Sequence, residues 1–93
     1  MDIPIGKVTH YFNHLSVAAV ELTGELKVGE MIHILGRITD FEQPVGSMEL
    51  EHHKIQSAGP GTIVAVGVIE HVRPGDSVFK CVGEEVGQTS TLP

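Results

Sequence analysis

Tryptophan is absent from this sequence, and its aromatic residues are three Phe and one Tyr. A core of large interlocking rings is therefore excluded, and any core has to be built from Val, Ile, Leu and Ala. Cysteine is nearly absent too. Cys81 stands alone, which excludes an intramolecular disulfide and fits a reducing compartment. Positive charge is scarce: six Lys and Arg face twelve Asp and Glu, for a formal charge of −6. A domain that lives on phosphate contacts usually carries a basic surplus, because counterion release supplies much of its affinity. The six cations (Lys7, Lys27, Arg37, Lys54, Arg73 and Lys80) are scattered along the chain. The balance counts against strong, unaided nucleic-acid binding and leaves room for a local contact. No apolar run approaches membrane-spanning length, and Met1-Asp2-Ile3-Pro4-Ile5 has neither the basic nor the apolar part of a signal peptide. A cytoplasmic protein with no membrane partner is the expectation.

What is abundant is turn chemistry. Eleven Gly and five Pro in 93 residues favour short strands joined by tight turns over long helices. The stretch from Leu26 to Gly36 organises the rest. Leu26-Lys27-Val28-Gly29 reads as a turn with Gly29 at positive φ, and Met31 to Leu35 as a strand with Ile32 and Ile34 pointing inward. Before it, Pro4 to Phe12 reads as a strand with Gly6, Val8, His10 and Phe12 on one face and Ile5, Lys7, Thr9 and Tyr11 on the other. Asn13-His14 turns the chain into Leu15 to Leu22, where Ala18, Val20 and Leu22 form the inward set. A slip of one residue would exchange these faces.

After it, Arg37 to Gln43 is a polar strand whose apolar residues are Ile38 and Phe41, interrupted by Pro44 and Gly46. Ser47 to His53 resumes alternation, with Met48 and Leu50 on one side and Glu49 and Glu51 on the other, and Ile55 as a further anchor. Ser57 to Gly61 is a loop. Thr62 to Val68 is the most strand-like segment and reads as buried on both sides for part of its length. His71 to Asp76 is a turn and Ser77 to Val82 the closing strand. Residues 1–82 thus form one all-β domain, a small antiparallel closed β-barrel that protects its own edges. Residues 83–93 are small and polar and are expected to be a disordered tail.

Little catalytic or metal-binding chemistry is legible. His52 and His53 are adjacent, so on a strand they face opposite ways; His10 and His14 sit across a turn, without a thiolate nearby or an H-E-x-x-H pattern. Solvated or structural histidines and no metal site are expected. Cys81, in the closing strand, reads as an inert thiol. Glu49 and Glu51 lie about 7 Å apart on one strand face, the pattern of a solvated edge. There is no G-x-x-x-x-G-K-[ST] phosphate loop and no N-K-x-D, so GTP binding and hydrolysis are excluded. A non-enzymatic binding module without a cofactor is the expectation.

Five pieces in order carry a resemblance: Gly6-Lys7-Val8, Leu26-Lys27-Val28-Gly29-Glu30, Met48-Glu49-Leu50, Ala58-Gly59 before a Val-rich strand, and Arg73-Pro74-Gly75-Asp76-Ser77-Val78. Together they resemble the second domain of translational GTPases of the elongation factor Tu type. The same pattern, joined by Tyr11-Phe12-Asn13 and Thr39-Asp40-Phe41, is similar to the small C-terminal accessory domain of collagenase-like peptidase-family proteins. Either resemblance implies a Greek-key barrel of the translation-protein type. The first implies contact with RNA, tRNA or the ribosome through Lys7, Arg37, Lys54 or Glu49, with Glu49 matching a Glu that helps to hold the 3′-terminal adenosine of tRNA. The second implies a module that acts in trans beside a larger peptidase-family protein. Tyr11 beside Ile5 is the surface expected to meet such a partner.

Overall fold

Alternating apolar residues and frequent turns give ten antiparallel strands in the computed structural model, which describes residues 1–82; the tail expected over 83–93 lies outside the described residues. In chain order they are β1 (Asp2–Phe12), β2 (Val17–Leu22), β3 (Leu26–Lys27), β4 (Met31–Leu35), β5 (Asp40–Pro44), β6 (Met48–Leu50), β7 (His53–Lys54), β8 (Ser57–Ala58), β9 (Ile63–Gly67) and β10 (Ser77–Cys81). Eight of them form one sheet in the order β5-β4-β10-β1-β2-β9-β6-β7, and β3 pairs with β8. Among the described residues no helix is long and apolar enough to cross a membrane.

The strands turn one face to a single core. Ile32 and Ile34 of β4, Ala18, Val20 and Leu22 of β2, Val64 and Val66 of β9, Val78 of β10 and Leu26 of β3 are all buried in it. Each large aliphatic side chain taken out of water there contributes about 1.5–3 kcal/mol. The organising turn forms at Val28-Gly29 with the expected positive φ, but Leu26-Lys27 before it are strand β3, paired with Ser57-Ala58 in the stretch expected to be a loop. Gly29 has φ +98°, its N–H donates to the Val45 carbonyl at 2.8 Å, and Val45 N–H donates to the Glu30 carbonyl at 2.9 Å. The Glu30 carboxylate accepts the Lys27 N–H at 2.8 Å, so the turn is tied at both ends.

The expected closed barrel is not what forms. The sheet's end strands, β5 and β7, are not hydrogen-bonded to each other. Pro44 has no N–H to donate where β5 ends, and β7 is two residues long, so neither edge offers a ladder for closure.

Three local expectations also change. The pairing of β1 shifts register between Pro4 and Gly6 and again between Val8 and His10. These bulges break strict alternation, so that Ile5 and Val8 are both buried, Tyr11 packs against the core, and His10 and Phe12 are exposed. Ile38 is 73% exposed in the link before β5. The buried residue beside it is Thr39, whose Oγ1 accepts from the Arg73 guanidinium at 3.1 Å. Finally, Ser47 to His53 is not one strand. Glu49 pairs with Lys54 and Leu50 with His53, so Glu51 and His52 form a two-residue turn with φ +50° and +69°. Left-handed φ at both turn residues matches the twist of a hairpin; His is among the residues that tolerate it, and Glu adopts it less readily.

Candidate functional site

The outer face of β2, β9 and β6 carries a trough of about 490 Å³. Its floor is made of small residues. Ala19 pairs with Ala65, Ala65 with Glu49, and Val17 with Gly67, which places three adjacent strands' outward positions in rows. Part of its lining is apolar and open to water: Phe12 is 43% exposed, Leu15 69% and Ile63 54%. Glu49, with Glu51 and His52 from the left-handed turn, also lines it. Gly67 has room for a side chain. A Cβ there would meet only Ser47 Oγ at 3.7 Å, an ordinary contact. Gly67 is the last residue of β9, and without a side chain it leaves that end of the floor open.

A second cluster lies on β1, β4 and β5. His33 Nδ1 is 2.9 Å from Asp2 Oδ2, and its Nε2 is 2.6 Å from Asp40 Oδ1. The imidazolium form donates to both carboxylates, and the hydrogen bonds to Asp2 and then Asp40 raise the pKa of His33. The same bond to His33 lowers that of Asp2. Cys81, opposite Asp2 in the β1–β10 ladder, has its thiol pushed up to about 11, first by burial and then by the Asp2 charge. It stays protonated near neutrality and is a poor nucleophile. Among the described residues no cluster of His, Cys, Asp and Glu is placed to hold a metal ion.

The structure separates most of the residues singled out from sequence. Lys7 is exposed on β1, flanked in the ladders by Glu21 and Ser77. Arg37 is exposed in the link between β4 and β5, and Lys54 is exposed on β7 at the far end of the sheet. The three occupy separate strands and links, with no row of adjacent cations for a nucleic-acid backbone to follow. Ile5 is in the core and the Tyr11 ring is half-buried, 4.5 Å from that of His71. Of the five expected contact residues, Lys7, Tyr11, Arg37, Glu49 and Lys54, Glu49 lies in the trough. Phe12, Leu15, Ile63 and Gly67 went unnoticed in sequence as site residues. Their only signal was an apolar outward set on strands whose inward set was already complete.

No family model matches the chain. It is 38% identical over 78 residues to an uncharacterized protease of Methanocaldococcus jannaschii, covering 83% of this chain and 19% of that protein. It is 35% identical over 80 residues to a collagenase of Porphyromonas gingivalis, covering 84% of this chain and 19% of that protein. The chain thus spans about a fifth of the length of the curated relatives it matches. Among solved structures, the C-terminal domain of a putative U32 peptidase from Geobacillus thermoleovorans superposes with a TM-score of 0.79 at 22% identity, covering 84% of this chain and 91% of that one. Its selenomethionine form superposes with a TM-score of 0.76. These relatives do not support the resemblance to elongation factors; they support the resemblance to collagenase-like peptidases, and the chain shares its fold with the C-terminal domain of such a protein.

Proposed function

We propose that this chain is a non-enzymatic accessory module of the collagenase-like peptidase kind, acting in trans beside a larger peptidase-family protein. The observation that carries the reading is one of proportion. More than four-fifths of the chain aligns with a segment that makes up about a fifth of a protease and of a collagenase. A segment of that size with its own core is a domain in its own right, and we read residues 1–82 as that unit. The fold likeness to a peptidase's C-terminal domain supports the same reading. A contact with RNA has no comparable support. The net charge is −6, and Lys7, Arg37 and Lys54 are spread over the sheet.

The test is capture of partners by the tagged chain from cells of its own source, with and without nuclease. One peptidase-family protein, retained after nuclease treatment, is the expected result. The purified chain alone should leave gelatin and casein uncut. A capture consisting of RNA, or of proteins lost on nuclease treatment, would overturn the reading.

A further inference from the structure

The trough on the outer face of β2, β9 and β6 is built for a ligand of particular chemistry. Its floor of Ala19, Ala65 and Gly67 is made of small residues, and Gly67 leaves empty a position where the fold would tolerate a side chain. Its apolar lining exposes Phe12, Leu15 and Ile63, side chains that gain from being covered. Its charged lining is acidic, with Lys54 the cross-strand neighbour of Glu49 outside the trough. Neither Glu49 nor Glu51 is in an ion pair among the described residues, and no Lys or Arg lines the trough. The turn that presents Glu51 and His52 holds both in left-handed backbone, a conformation that costs about 1–2 kcal/mol for a residue with a side chain. The two-residue hairpin requires that geometry, and it fixes where Glu51 and His52 stand at the rim.

We propose that this trough docks an extended peptide segment of the partner protein, one that carries an apolar side chain next to a lysine or arginine. The inference rests on the accessory-module reading for the source of that segment. The apolar side chain would settle between Ile63 and the small floor, and the cation would meet Glu49 and Glu51. Charge argues against other occupants. Residues 83–93 of the chain itself contain Glu84 and Glu85 and no cation. A second copy docked trough to trough would bring no cation to Glu49 and Glu51, since no Lys or Arg lines the trough. A nucleic-acid backbone would meet carboxylates first.

The test uses the full chain and a displayed library of short random peptides, followed by fluorescence anisotropy with the best peptide. The selected sequences should share a Lys or Arg beside Leu, Ile or Phe. Gly67→Val fills the floor and suits a strand, so it should fold as well as the parent and bind about tenfold more weakly or worse. Ile63→Glu, at an exposed position, should do the same. Glu49→Gln with Glu51→Gln should weaken binding several-fold and flatten its salt dependence. Enrichment of peptides without a cation, no enrichment above background, or affinity unchanged in both Gly67→Val and Ile63→Glu would overturn the proposal. So would a dimer of the chain that Gly67→Val dissociates. The two readings fail separately. Capture of the peptidase that persists in Gly67→Val rejects the trough alone, and peptide binding in the trough without a peptidase partner rejects the accessory role alone.

Discussion

Gln43 reaches across from β5 to the end of β9, where its Nε2 donates to the Gly67 carbonyl at 2.9 Å and its Oε1 accepts the Ile69 N–H at 2.8 Å. A side chain thus joins two parts of the sheet that no backbone ladder joins. Gln43 is buried, so its replacement leaves two backbone groups without a partner. Gln43→Leu should destabilise the fold by about 1–2 kcal/mol in urea unfolding, since two hydrogen bonds to part-buried backbone groups are lost. A change under about 0.5 kcal/mol would mean that water takes over the role of the side chain.

Ile34 and Ile38 look alike in sequence and differ completely in the fold. Ile34 is fully buried and Ile38 is open to water. Ile34→Ala should cost about 2–4 kcal/mol as a large-to-small change in a packed core. Ile38→Ala should stay within about 0.5 kcal/mol of the parent. Equal losses at the two sites would place β5 in the wrong register.

The bracket around His33 gives stability a defined dependence on pH. The folded pKa of His33 lies above its ordinary value of 6.5, so its contribution is complete below that value and is lost as pH rises through the raised one. Asp2 has a folded pKa below 3.8, so its contribution is present above 3.8 and is lost as pH falls through the depressed value. Thermal unfolding of the parent should therefore weaken with alkalinity above the ordinary histidine value, and His33→Asn should remove that slope. A slope that survives His33→Asn assigns it to another group.

The turn Glu51-His52 should be improvable. Changing both residues to Asn-Gly, which adopt left-handed backbone readily, should raise stability by about 1 kcal/mol or more. The same double variant removes one carboxylate from the trough and should weaken peptide binding. A loss of stability would contradict the φ values of +50° and +69°.

Where the sequence was legible, local pattern and fold agreed. Ala18, Val20 and Leu22, Ile32 and Ile34, and Val64 and Val66 repeat every second residue among β-branched or small neighbours, and all of them are buried. Gly29 followed from its turn. The faces of β1 were not legible, because two bulges change its register and a bulge leaves no mark in composition. The turn at Glu51-His52 was hidden because neither residue type is a turn former. Both candidate sites depend on which strands become neighbours. The trough needs β2, β9 and β6 side by side, and the His33 bracket brings Asp2 across from a residue 31 positions away. Periodicity within a strand says nothing about such adjacency. Glu49 drew notice in sequence for a resemblance that its relatives do not support, and it lies in the trough for a different reason: it is an outward residue next to Ala65.

The most direct measurement is calorimetric titration of the purified chain into the purified peptidase-family protein captured from the same cells. One-to-one, saturable binding that is lost or weakened about tenfold in Gly67→Val and Ile63→Glu is the result this account predicts. Absence of binding between two folded partners, or binding that both substitutions leave unchanged, would contradict it.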